Sequence, residues 1–233
     1  MIRKHIPNAI TCLNLASGCV AIVFAFQGDY MTAALLIALA AVFDFFDGFA
    51  ARLLNAYSPL GKELDSLADE VSFGVAPGIM IFKYISGMAI ATGSSEYLAY
   101  FGLLIPVFSA LRLAKFNLDE RQSTSFIGLP TPANALFWAF SIAGSFEYFL
   151  ETTFDPIILV GITIFFSWLL ISRLPMFSLK FKHYRWIGNR LRYYFLAGSI
   201  ALLILLGING VSACILWYIS LSLLSFLYGK RRA

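Results

Sequence analysis

Four aspartates, Asp44, Asp47, Asp65 and Asp69, fall in a stretch that is otherwise mostly apolar. Placed inside a membrane, each would cost roughly 2.5–3.5 kcal/mol at the centre of a span and less near the interface, so four could cost up to about 10–14 kcal/mol unless neutralised. Arg52 is the one basic residue on their face, and its single charge leaves a negative surplus. With no histidine or cysteine nearby, these carboxylates are hard oxygen ligands suited to Mg²⁺ or Mn²⁺ rather than zinc or copper. Two such divalent ions would balance the four charges.

The spacing brings these groups together. Asp44, Asp47, Gly48, Ala51 and Arg52 stand at i, i+3, i+4, i+7 and i+8, one face of a helix. Gly61, Asp65 and Asp69 repeat every four residues on the next helix. The turn around Tyr57, Ser58 and Pro59 is short enough to make the two helices antiparallel neighbours, with their acidic faces opposed. Gly48, Ala51 and Gly61 leave room for a bulky ligand beside the backbone, although small residues also serve close helix packing in membranes. Their position between metal-ligand candidates and an arginine favours a phosphate-bearing ligand, because arginine offers a charged fork and the ions bind oxygens.

The elements that must position these residues are membrane helices. Of the 233 residues, 60% are hydrophobic and 13% charged, and the mean hydropathy is +0.80, whereas a soluble domain is about one-quarter charged. Apolar stretches near the ~20 residues needed to cross a bilayer recur at 8–27, 31–54, 66–91, 97–116, 133–150, 155–172, 190–207 and 210–228. The expected fold is an all-α integral membrane protein: a single bundle of about eight transmembrane helices, one domain over 1–233. The first apolar run follows Arg3 and Lys4 but carries Asn8, Thr11 and Asn14 and no convincing cleavage site, so it reads as the first membrane helix rather than a secretory signal. Cys12, Cys19 and Cys214 fall within predicted spans, where a thiol acts as a small apolar group, and suggest neither disulfides nor zinc. His5 and His183 lack metal-like spacing.

Lysine and arginine accumulate in cytoplasmic loops. With a cytoplasmic amino terminus, only Lys83 of the 17 basic residues falls toward the opposite side, whose loops hold Asp29, Glu96, Glu147, Glu151 and Asp155. Both ends and three inner loops therefore read as cytoplasmic, and the aspartates lie at that face. The net charge of +4 describes a surface turned toward anionic lipid. No nucleic-acid-binding motif accompanies it.

The pattern Asp44-x-x-Asp47-Gly48-x-x-Ala51-Arg52, followed after eight residues by Gly61-x-x-x-Asp65-x-x-x-Asp69, resembles the complete signature of the CDP-alcohol phosphotransferase family. With usage of roughly one in twenty per residue, its eight fixed positions would arise by chance less than about once in 10¹⁰ trials. The resemblance implies a cytoplasm-facing two-metal site held by Asp44, Asp47, Asp65 and Asp69. It also implies a CDP-linked lipid donor whose diphosphate binds the ions, with Gly48, Ala51, Arg52 and Gly61 lining the nucleotide site and Asp69 as general base. A homodimer is the implied assembly. Glu70, directly after the last aspartate, is a charge outside the family pattern.

The signature leaves the acceptor alcohol open. Segments 6–14 (IPNAITCLN), 65–78 (DSLADEVSFGVAPG), 111–117 (LRLAKFN) and 126–135 (FIGLPTPANA) resemble small multi-span phosphatidylserine synthases, as does 173–182 (RLPMFSLKFK) more faintly. That resemblance implies transfer of a phosphatidyl group from CDP-diacylglycerol to L-serine in a prokaryotic inner membrane. A zwitterionic acceptor needs a cation for its carboxylate, and Arg112, Lys115 and Asn117 stand together at the cytoplasmic end of the fourth span. From composition alone Arg112 and Lys115 could equally be positive-inside anchors; the resemblance favours Arg112 as the carboxylate ligand. Asn8, Thr11 and Asn14 form a polar strip near the cytoplasmic end of the first span, placed for nucleotide or acceptor contact or for helix packing. The segment 173–192, with its interleaved bases and aromatics, reads as a headgroup-layer loop contacting membrane lipids. The rival enzyme is a phosphatidylglycerophosphate synthase. The rival outside enzymology is a transporter or proton channel, which fits less well because transport sites tend to lie near the bilayer midplane in broken helices or repeats.

The charge distribution predicts that segments 56–64, 112–131 and 173–189 face the cytoplasm with both termini. A cysteine introduced near Ser58 should resist an impermeant reagent added outside intact cells and react once the cells are opened. Labelling from outside would reverse the topology.

Overall fold

The computed structural model describes residues 5–118, 126–151, 155–177, 179, 185–186 and 188–230. Arg3, Lys4, Arg121, Lys180, Lys182, His183, Arg231 and Arg232 lie outside the described residues. The chain forms a helical bundle. Helix α1 (Ile6–Gln27) begins with a proline in its first turn, where the missing N–H costs no helical bond, and ends at Gly28, whose φ of 81° favours glycine. Asp29 follows and caps α2 (Tyr30–Leu53) by accepting from the Thr32 N–H. The resulting hairpin is closed by fully buried small residues, Ala21, Ala25, Ala33, Ala34 and Ala40, which let the two backbones approach closely.

After α2 the chain turns through Asn55, at φ 48°, and Ser58 caps α3 (Pro59–Asp69) by accepting from the Gly61 N–H at 3.0 Å. The helix continues beyond Asp69 as a π-helical segment, Glu70–Val75, and then as α4 (Ala76–Thr92). A π segment adds about one residue per turn relative to an α-helix, so it shifts the face that α4 presents relative to α3. Two close approaches fix this long helix. A Cβ on Gly18 of α1 would lie 2.7 Å from the Ser72 Cα, and one on Gly78 would lie 2.6 Å from Pro106 Cδ.

A 3₁₀ segment, Glu96–Leu103, leads into α5 (Leu104–Leu118), followed by α6 (Thr131–Glu151) and α7 (Pro156–Ile171). Strand β1 (Phe126–Ile127) pairs antiparallel with β2 (Pro175–Met176), with Phe126 opposite Met176 and Ile127 opposite Pro175. Beside it, the N–H of Gly128 donates to the Leu174 carbonyl and that of Leu129 to the Leu169 carbonyl. This clasp ties the start of α6 to the end of α7. Helices α8 (Arg190–Leu206) and α9 (Gly210–Lys230) are joined by the 3₁₀ turn Gly207–Asn209.

Among the described residues, five helical stretches are long and apolar enough to cross a membrane: Ile6–Gln27, Tyr30–Leu53, Pro59–Thr92, Glu96–Leu118 and Arg190–Leu227, the last bent at the α8–α9 turn. Pro156–Ile171 is a shorter apolar helix. The helix that carries Asp65 and Asp69 begins at Pro59, ahead of the 66–91 interval read from hydropathy, because its first two turns are polar. Large apolar side chains such as Phe45, Trp168, Ile204 and Leu205 point outward, as lipid tails require. This is an integral membrane bundle. Cys12 and Cys19 are exposed, Cys214 is buried, and all three are free.

Candidate active site

The acidic faces predicted from spacing do meet. Asp44 and Asp47 on α2 and Asp65 on α3 each present a carboxylate oxygen, and these three oxygens lie within 4.8 Å of one another. Among the described residues no lysine or arginine forms an ion pair with them. Three formal negative charges at this separation repel strongly in a low-dielectric setting, and an all-oxygen set of this size fits a hard divalent cation. The cluster can therefore hold a metal ion. Asp69, the last residue of α3, is buried and close enough to interact electrostatically with Asp44, Asp47 and Asp65.

Helix α1 orients two of these carboxylates. The Thr11 hydroxyl lies 2.7 Å from Asp47 Oδ2 and donates to it, while Asn14 Nδ2 donates to Asp69 Oδ1 at 3.2 Å. Asn14 is in turn held through its carbonyl, which accepts from the Ser72 hydroxyl at 3.0 Å. Ser72 belongs to the π-helical segment, so that segment braces α1 next to Asp69.

A cavity of about 210 Å³ opens beside the cluster. Asn8, Thr11, Asp47, Gly48, Ala51, Gly61 and Asp65 line it, together with Lys62. A Cβ on Gly48 would meet nothing within 4 Å, so glycine leaves open the space a side chain would fill; one on Gly61 would lie 3.0 Å from Asn8 Oδ1. Arg52 is exposed and is not among the lining residues. Lys62 was read from the sequence only as a cytoplasmic charge, and its adjacency to Gly61 was the available signal. Its Nζ donates to the Asn117 carbonyl at 3.1 Å.

The three polar residues at the end of α5 part company. Arg112 is buried at 8% exposure, unlike a membrane-surface anchor whose charged end reaches water. Its Nη1 donates to Thr131 Oγ1 at 3.2 Å, its guanidinium lies over the Phe116 ring, and its charge interacts with that of Asp69, with the neutral Tyr218 phenol nearby. The Tyr218 hydroxyl is anchored by donating to the Phe177 carbonyl. Lys115 is exposed. Asn117 Nδ2 donates to Ser66 Oγ at 2.8 Å, so Asn117 ties α5 to α3. Thr131 and Tyr218 were not singled out in the sequence, because a hydroxyl in an apolar helix carries no spacing signal of its own.

Residues 4–172 match the family model described as CDP-alcohol phosphatidyltransferase. The chain belongs to the CDP-alcohol phosphotransferase family. It is thus a member of an enzyme family, and a transporter or channel is not the reading it supports. A CDP-diacylglycerol–serine O-phosphatidyltransferase of Bacillus subtilis (strain 168) is 36% identical over 186 residues, covering 78% of this chain and 92% of the relative. One of the same name from Helicobacter pylori (strain J99) is 33% identical over 191 residues, covering 77% and 74%. An archaetidylserine synthase of Methanothermobacter thermautotrophicus is 34% identical over 139 residues, covering 56% and 54%.

Removing one carboxylate from the Asp44, Asp47 and Asp65 group should weaken divalent binding by at least about tenfold, the scale of one charged contact. Calorimetric titration of Mn²⁺ into detergent-solubilised wild type and Asp65→Asn measures this. Equal affinities would remove Asp65 from the ligand set.

Proposed function

We propose that this protein transfers the phosphatidyl group of CDP-diacylglycerol to L-serine, yielding phosphatidylserine and CMP. The observation that carries the acceptor is the buried guanidinium of Arg112 within electrostatic reach of Asp69, which supports a cation for the acceptor carboxylate near the group that would take the hydroxyl proton. Serine occurs in the names of both bacterial relatives and within that of the archaeal one, and a serine acceptor suits this arrangement.

In this reading Asp44, Asp47 and Asp65, with Asp69, hold two Mg²⁺ or Mn²⁺ ions, which would neutralise the donor's diphosphate and stabilise charge developing at the reacting phosphorus. Gly48, Ala51 and Gly61 give the nucleotide room, Asn8 and Thr11 contact it, and Arg52 guides the anionic donor at the surface. Arg112 takes the serine carboxylate; Lys115 and Asn117 play lesser parts, as a surface charge and a tether. Asp69 accepts the proton of the serine hydroxyl as that oxygen attacks the lipid-bearing phosphorus. The bond from this phosphorus to the CMP oxygen breaks, and CMP leaves with the electron pair. Asn14, by donating to one Asp69 oxygen, orients the base.

The same reading places eight spans, one domain over 1–233, in a prokaryotic inner membrane, with both termini and the site facing the cytoplasm and the protein assembling as a homodimer among membrane lipids.

An acceptor panel tests the function. Purified protein with CDP-diacylglycerol should release CMP with L-serine and far less with glycerol 3-phosphate, inositol or ethanolamine. Product from glycerol 3-phosphate and none from serine would replace this reading with phosphatidylglycerophosphate synthesis. Asp69→Asn should still bind CDP-diacylglycerol but turn over about 10²–10⁴-fold more slowly; a covalent phosphatidyl-enzyme would instead point to attack by a side chain.

A further inference from the structure

Burial without a partner is costly for a polar group, and α1, α5 and α6 each carry such a group. Asn134 is fully buried, and neither its Oδ1 nor its Nδ2 has a hydrogen-bond partner among the described residues. The same holds for Arg112 Nε and for Asn14 Oδ1. Two of these side chains are engaged at their other ends: Asn14 donates to Asp69, and Arg112 donates to Thr131. Asn134 is three residues beyond Thr131 on α6, and the Asn134 N–H donates to the Pro130 carbonyl, so helical geometry already holds there. Side chains three apart on a helix stand about 5–6 Å from one another at Cβ. Asn134 is therefore a neighbour of the Arg112–Thr131 bond, one helical turn further in.

The open valences have a definite chemistry. Arg112 Nε and Asn134 Nδ2 are donors; Asn134 Oδ1 and Asn14 Oδ1 are acceptors. A phosphate-bearing acceptor such as glycerol 3-phosphate would use the donors but bring only one non-reacting hydroxyl to the two acceptors, whereas an ammonium brings three N–H groups. A ligand carrying a carboxylate and an ammonium on one carbon would use both kinds. We infer that Asn134 is an acceptor-binding residue that, with Arg112 and Asn14, recognises the α-amino-acid group of the substrate and so selects a zwitterionic alcohol. The inference deepens the serine-transfer reading and rests on it. It assigns to α6 a role that the aspartate signature on α2 and α3 does not contain.

The test compares wild type with Asn134→Leu, which keeps the branched shape at a larger volume and removes both unpartnered atoms. The KM for L-serine should rise by about tenfold or more, as expected for a lost polar contact to a charged group. The KM for CDP-diacylglycerol should stay within about two-fold, marking an acceptor-only effect. The melting temperature in detergent, without substrate, should be equal to or above that of wild type, because no native hydrogen bond is removed. If the leucine variant does not fold, Asn134→Ser serves with the same kinetic readouts. A serine KM unchanged within about two-fold, or a fall in melting temperature with both KM values moving together, would overturn the inference and leave Asn134 a structural group. Failure of wild type to use serine at all would sink the serine reading and this inference with it, whereas normal serine use by Asn134→Leu would sink the inference alone.

Discussion

Carboxylate repulsion in a lipid-embedded bundle is the constraint around which the rest of the structure is arranged. Asp44, Asp47 and Asp65 bring their oxygens within 4.8 Å with no basic side chain paired to them among the described residues. Their mutual repulsion alone would drive these groups apart. They are held by α2 and α3, joined through the Ser58 cap, and by α1, which packs against both helices and supplies Thr11 and Asn14 as hydrogen-bond donors to Asp47 and Asp69. Such a site is preorganised for charge that arrives from outside, whether a cation or a cation with its bound phosphate.

The π-helical segment shows how the same helix meets two demands. Upstream, α3 must turn Asp65 and Asp69 toward α2 and α1. Downstream, α4 must turn Gly78 against Pro106 at the start of α5. A regular α-helix would fix the angle between these two faces by residue count alone. The wider turn at Glu70–Val75 breaks that relation, and within it Ser72 bonds back to α1.

The aspartate ladder was legible in the sequence because helical spacing is a strong signal and charge in an apolar chain is a rare one. The intervals of the helices were legible for the same reason, apart from the polar first turns of α3. What spacing could not show was how the residues at the end of α5 divide: Arg112 inward, Lys115 outward, Asn117 onto Ser66. That division depends on how α5 is rotated against its neighbours, which is set by packing on the π-helical segment and α7 and by the bonds to Ser66 and Thr131. Arg52 shares a face with the aspartates in projection yet stands exposed, since it lies two turns beyond Asp44, where α2 reaches its end. Thr131 and Asn134 lie in the 126–135 segment that carries the resemblance, yet spacing alone marks neither of them, nor Tyr218. Their meaning comes from Arg112, on another helix.

The match to the family model stops at residue 172, before α8 and α9 begin. Tyr218, on α9, nevertheless lies near Arg112 and is fixed by the Phe177 carbonyl. The clustered aspartates and this neighbour of Arg112 thus come from different lengths of chain. Exchanging residues 173–233 between two relatives would recast the surroundings of Arg112 and leave every aspartate in place, a seam that separates the neighbourhood of one buried cation from the carboxylate cluster.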